Sequence, residues 1–84
     1  MKPIRLSRHA EGYLKNRGFS HVEVETAIST TAWERAEFGR LQCKLDVPFD
    51  AEWNGRHYAI KQVRPIFVEE DDEILVVTVY TYYY

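Results

Sequence analysis

Residues 74–80, Ile-Leu-Val-Val-Thr-Val-Tyr, constrain the fold more than any other stretch of this chain. Five of the seven are β-branched, and the run is too short and too uniformly apolar for an amphipathic helix. Such a run is a strand buried in a sheet. An exposed edge of this composition would invite aggregation, so neighbours are expected on both sides of it. Strict alternation puts Leu75, Val77 and Val79 on one face, against Leu14 and Ile28 of a helical layer. Thr78 and Tyr80 then point to the opposite, open face.

The opening of the chain carries the helical signals. Ser7 is an N-cap residue ahead of a helix over about Arg8–Arg17, which Gly18 stops in the left-handed conformation. Ser20 with Glu23 three residues on is a capping box for a second helix, about His21–Thr31. Val24, Ala27, Ile28 and Thr31 give that helix one apolar face. Phe19, just before the cap, is placed to staple onto Val24. Beyond Thr31 the period changes to two: Leu41, Cys43, Leu45 and Val47 alternate with polar residues, as in a half-buried strand that Pro48 ends or confines to an edge. Asn54-Gly55 is a hairpin signal, and a strand follows over about His57–Arg64, with Pro65 as an interruption and Ile66-Phe67-Val68 as its continuation or a separate strand. Residues 32–40 read equally as helix extension or loop. The order of elements predicts an α+β domain over residues 1–84, with two N-terminal helices packed on one face of a three- to four-stranded antiparallel sheet.

Eighty-four residues suffice for one modest core. No apolar run is long enough to cross a membrane as a helix, and the first eight residues lack a signal-peptide core, so a cytoplasmic location is expected and no membrane partner. The single cysteine, Cys43, excludes an internal disulfide and a thiolate metal cluster, and its place in the alternation makes it a small buried hydrophobe. The formal charge is −2, unevenly spread: residues 1–20 carry five cations against Glu11 alone, whereas residues 69–73 are all acidic. Binding to nucleic acid would therefore rest on a local basic patch.

No phosphate loop, nucleophile elbow or zinc spacing occurs, and His9, His21 and His57 lack metal-ligand spacing, so neither metal nor cofactor is expected. Metal-independent RNA cleavage needs a group to take the 2′-hydroxyl proton, a group to protonate the leaving 5′-oxygen and a cation for the phosphorane. The candidates are His9 on the first helix, Lys61 and Arg64 on the middle strand, and Thr78 and Tyr80 on the last. His9 and Tyr80 form the proton-transfer pair in this reading, with Lys61 or Arg64 on the phosphate. Four tyrosines in the last five residues offer a stacking platform for bases or a contact surface for protein.

Ser7-Arg8-His9-Ala10, Arg17-Gly18-Phe19-Ser20, Glu23-Val24 and the closing Val76-Val77-Thr78-Val79-Tyr80, in this order and spacing, resemble an uncharacterised bacterial and archaeal domain family. In that family a His-Ala pair precedes an Arg-Gly-Ile-Ser turn, and a Val-Val-Thr-Val-Tyr strand ends the domain. It is grouped with the RelE, ParE and BrnT toxins. The resemblance implies a RelE/ParE-like fold and a site joining His9 to the Thr78–Tyr80 strand end. It also implies a toxin of a toxin–antitoxin system, an endoribonuclease with an antitoxin and RNA as partners. The alternatives are a gyrase-inhibiting toxin of the ParE kind, and a non-catalytic module that binds protein, or a second copy of itself, through the tyrosine-rich face.

Overall fold

A computed structural model describes residues 1–84. The chain runs through strand β1 (Ile4–Leu6), helices α1 (Arg8–Gly12), α2 (Leu14–Arg17) and α3 (His21–Thr30), and strand β2 (Glu34–Arg35). After a single 3-10 turn (Glu37–Gly39) come β3 (Leu41–Gln42), β4 (Leu45–Trp53), β5 (Arg56–Glu69) and β6 (Ile74–Tyr83). No helix is long and apolar enough to cross a membrane.

The expected architecture of two helices on a three- to four-stranded antiparallel RelE/ParE-like sheet is overturned. The sheet has six strands and is mixed, because β1 pairs with β6 in parallel, with Ile4, Arg5 and Leu6 opposite Ile74, Leu75 and Val76. The strand order is β1-β6-β5-β3-β2, with β4 on the same side of β5 as β3. The first helix is broken at Tyr13 (φ −100°, ψ 0°) into two single-turn pieces, so α3 alone is a helix of substantial length. Residues 32–40, left open between helix and loop, are the short strand β2 and the 3-10 turn.

Local signals act where the sequence places them. The Ser7 hydroxyl accepts from Ala10 N–H at 3.1 Å, and Gly18 closes α2 at φ 72°. Ser20 and Glu23 form the reciprocal capping box of α3. Asn54 (φ 52°) and Gly55 (φ 80°) make the two-residue turn joining β4 to β5, since a right-handed twist favours left-handed residues at both turn positions. Pro65 does not interrupt β5. It sits opposite Val79 at a position whose N–H would point away from β6, into the gap between β3 and β4, where no ladder bond is lost.

The core lies between the helices and one sheet face: Leu6, Ala10, Phe19, Val24, Ala27 and Ile28 against Cys43, Val63, Phe67, Ile74, Val76 and Val79. The expectation for β6 fails at its start. Ile74 and Val76, not Leu75 and Val77, enter the core, while Val79 does so as expected. The cause is a β-bulge: Ile66 pairs with Thr78 and Phe67 with Val76, so Val77 is an extra residue that shifts the alternation by one. Thr78, Tyr80 and Tyr82 consequently share the open face with Gln62, Arg64 and Ile66 of β5.

Pairing on both sides of β6 also holds only as far as Val76. From there the outer edge is covered by Ser7 and Arg17. Ser7 gives its N–H to Val76 O (2.9 Å) and its hydroxyl to Val77 O (2.9 Å), and Arg17 Nη1 donates to Val79 O (2.9 Å). On the far edge, β4 carries Pro48, a left-handed Asp50 (φ 42°) and a register shift, which together discourage strand addition.

Candidate functional site

Arg17, at the C-terminus of α2, reaches around the uncovered edge of β6 to the open sheet face. Its Nη1 donates to Val79 O and to Thr78 Oγ1 (3.2 Å). Its guanidinium carbon lies 3.8 Å from the Tyr13 ring centre and 5.1 Å from that of Tyr80, within cation–π range of both. The Tyr13 ring in turn meets His9 edge-on at 4.9 Å. His9, Tyr13, Arg17 and Tyr80 therefore form a continuous row from α1 to the sheet. The four-residue spacing of His9, Tyr13 and Arg17 brings each side chain beside the next along one side of the α1–α2 segment.

The row is held from behind. Arg17 C=O accepts from Thr81 Oγ1 (2.6 Å) and Tyr83 Oη (2.9 Å), and Gly18 C=O accepts from Lys61 Nζ (2.9 Å). A side chain on Gly18 would collide with Tyr83 and Trp53, whose rings stack at 4.8 Å. Burial pushes the Tyr83 phenol above the ordinary tyrosine range, consistent with its work as a hydrogen-bond donor to the Arg17 carbonyl.

The five residues expected to act together are divided. Thr78, 8 % exposed, and Tyr80, 43 % exposed, do converge on the open face, and His9 lies exposed on the neighbouring edge, joined to Tyr80 through Tyr13 and Arg17 rather than by contact. Arg64 shares that face directly opposite Tyr80, but it lies flat, 4.8 Å from the Tyr82 ring, with Nη2 donating to Gln62 and its buried Nε unpartnered. Lys61 is on the other side of the sheet, as three residues' separation from Arg64 in a strand requires. There it is 8 % exposed and pairs with Glu23 at 2.7 Å. Lys61 is a structural cation of the helix layer and does not meet Tyr80.

Arg17 is the residue the sequence reading missed. In the sequence it marks only the end of the first helix before the Gly18 stop, and no local pattern shows that its head would cross a strand edge. The basic opening segment is also partly consumed: Lys2 pairs with Glu69 (3.4 Å) and Arg5 with Glu73 (2.7 Å) at the acidic turn between β5 and β6. Arg17 stands away from that turn, and its Nε and Nη2 make no hydrogen bond.

Beside the row, the open face deepens into a cleft of about 530 Å³. Its floor is Ile66, Thr78 and Tyr80, and its rim is Arg35, Glu37, Phe38, Arg40 and Gln42. Phe38 is 87 % exposed and left-handed (φ 59°, ψ 36°), a conformation that costs a residue other than glycine about 1–2 kcal/mol. No protein-family model, curated protein or solved structure matches the chain, so the site stands on this geometry.

Proposed function

We propose that the protein is a toxin-like, metal-independent endoribonuclease whose reactive centre is the row His9–Tyr13–Arg17–Tyr80 with Thr78. The observation that carries this reading is Arg17. A guanidinium held between two tyrosine rings, with one nitrogen fixed to the sheet edge and the others unbound, is a preset receptor for a phosphodiester. Stabilising the phosphorane is the largest demand of the reaction, and a fixed cation meets it without reorganisation. His9 lies at one end of the row as the base for the 2′-hydroxyl. The Tyr80 phenol lies at the other as the acid for the leaving 5′-oxygen. Arg17 thus takes the place first given to Lys61 or Arg64.

The test is cleavage of an end-labelled single-stranded RNA in the presence of a chelator. The wild type should give 2′,3′-cyclic phosphate ends and leave a substrate with 2′-deoxy linkages intact. His9→Ala, Arg17→Ala and Tyr80→Phe should each lower kcat by about 10²–10⁴, as loss of acid–base or electrostatic groups does. Full activity in His9→Ala, or none in the wild type, overturns the reading.

A second reading is favoured by the exposed row Tyr80, Tyr82 and Tyr84, at 43, 45 and 56 %. Tyrosine on an open sheet face suits a protein contact. An antitoxin covering these rings would bury Arg17 and Tyr80 together and silence the same centre.

A further inference from the structure

The cleft beside the reactive row has features that the fold does not use. Arg35 and Arg40 line it, and neither guanidinium takes part in an ion pair. Phe38 presents an exposed ring from a strained backbone position, with the Arg40 guanidinium 5.9 Å from its centre. The left-handed backbone of Phe38 costs free energy that no contact of its ring within the domain offsets, and strained positions of this kind cluster at active sites and ligand clamps. Tyr80 belongs both to this cleft and to the reactive row, as the partition between them.

We propose that this cleft is a subsite for one nucleobase of a single-stranded RNA, next to the scissile phosphate. The inference rests on the ribonuclease reading above and gives it a substrate-binding element. The base stacks on Phe38 and Tyr80, which are sequence-tolerant π surfaces, and Arg35 and Arg40 hold the flanking phosphates. Gln42 and Glu37 on the rim supply donors and an acceptor for the edge of the base. The two arginines against one carboxylate make the rim cationic in a chain of net charge −2, which matches an anionic strand. The volume lies within the roughly 300–1,000 Å³ of small-ligand pockets.

The experiment measures binding of a short 2′-O-methyl RNA, which cannot be cleaved, to the wild type and to Phe38→Ala, Phe38→Tyr and the double variant Arg35→Gln/Arg40→Gln. Phe38 is at an exposed loop, so its replacement leaves the core untouched, and an unchanged melting temperature verifies this. Phe38→Ala should raise Kd by about 5- to 100-fold, the usual effect of losing one stacked base, and Phe38→Tyr should restore it. A single abasic position in the oligonucleotide should weaken wild-type binding by a similar factor, and should weaken Phe38→Ala no further. The arginine variant should flatten the salt dependence of Kd. Unchanged affinity in Phe38→Ala overturns the proposal. So do additive losses from the abasic position and the variant, or absence of RNA binding while a protein partner protects the 36–40 loop. If base-dependent binding is found but the protein cleaves nothing, the subsite stands and the cleavage reading falls. If cleavage proceeds with KM unmoved in Phe38→Ala, the subsite falls and the cleavage reading stands.

Discussion

Gly18 joins three things at one residue: the stop of α2, the anchoring of Arg17 and the packing of the aromatic cluster. Its φ of 72° already disfavours other residues, and a Cβ would lie 2.5 Å from the Tyr83 hydroxyl and 2.8 Å from Trp53. Neither ring can retreat freely, because Tyr83 is stacked on Trp53 and meets Phe49 edge-on at 5.1 Å. Gly18→Ala should therefore destabilise the domain by roughly 2–4 kcal/mol in urea unfolding, well above the cost of an ordinary glycine replacement. The same change displaces the Arg17 carbonyl, and on the proposed ribonuclease reading it should lower RNA cleavage beyond its effect on stability. Cys43 offers a second test at this scale. It is fully buried, and burial raises its thiol above the usual range. It should resist alkylation in the native protein at pH 8 and react at once in denaturant; rapid native labelling would show that the β3–β4 corner opens.

Among the elements, α3 is tied to the sheet by one ion pair as well as by its apolar face. Glu23 serves both as the capping-box acid at the third position of α3 and as the partner of Lys61. Ser20→Ala removes only the cap and should cost about 1 kcal/mol. Glu23→Ala also leaves the nearly buried Lys61 without its acid and should cost roughly 2–3 kcal/mol; Glu23 is itself 23 % exposed at its side chain, which keeps the loss below that of a fully buried pair. The excess should vanish in a Lys61→Met background. The caps, the Asn54-Gly55 turn and the buried stripe of α3 were all legible in the sequence, because each is decided by residues three or four apart. β1 was not legible. Ile4-Arg5-Leu6 is three residues long with a cation in the middle, and only its partner some seventy residues away makes it a strand. Nor was the bulge at Val77, which depends on the register with β5 and reversed the assignment of Leu75 and Val77. In the site, Thr78 and Tyr80 were placed on the correct face by the alternation they share with each other. Arg17 was missed because its contacts are to β6, far along the chain.

Over the whole molecule, charge is segregated by the same topology. Lys2 and Arg5 meet the acidic turn at one end of β6, and two arginines without an ion pair, Arg35 and Arg40, line the cleft. The two-point contact of Arg5 with Glu73 (3.0 and 2.7 Å) holds the Glu73 carboxyl below the usual carboxylate range, chiefly through the hydrogen bonds and secondarily through charge. A depressed folded value stabilises the native state above the ordinary glutamate pKa of about 4.3, and the effect is lost as pH falls through the lower folded value. Melting temperature should therefore decline as the medium is acidified below about pH 4, and Glu73→Gln should flatten that decline. High salt should shrink the difference between the two proteins, since Arg5 is exposed and Glu73 only half-buried. An identical acid profile for the variant would remove this pair from the account.

The parallel pairing of β1 with β6 has a consequence for how a cell makes this protein. Translation delivers β1 about seventy residues before its partner. Until β6 leaves the ribosome, Ile4 and Leu6 have no strand beside them, and Val24, Ala27 and Ile28 have at most half a sheet to cover. Nothing resembling a stable intermediate can be assembled from the first sixty residues or so, because β5 and β6 supply most of the sheet face on which the helices rest. The chain therefore stays sticky and protease-sensitive until β6 is in place, and folding waits for that strand. Arg17 and Tyr80 meet only in that last step. A chain still lacking β6 has no such contact, so the row His9–Tyr13–Arg17–Tyr80 is completed only when the last strand pairs.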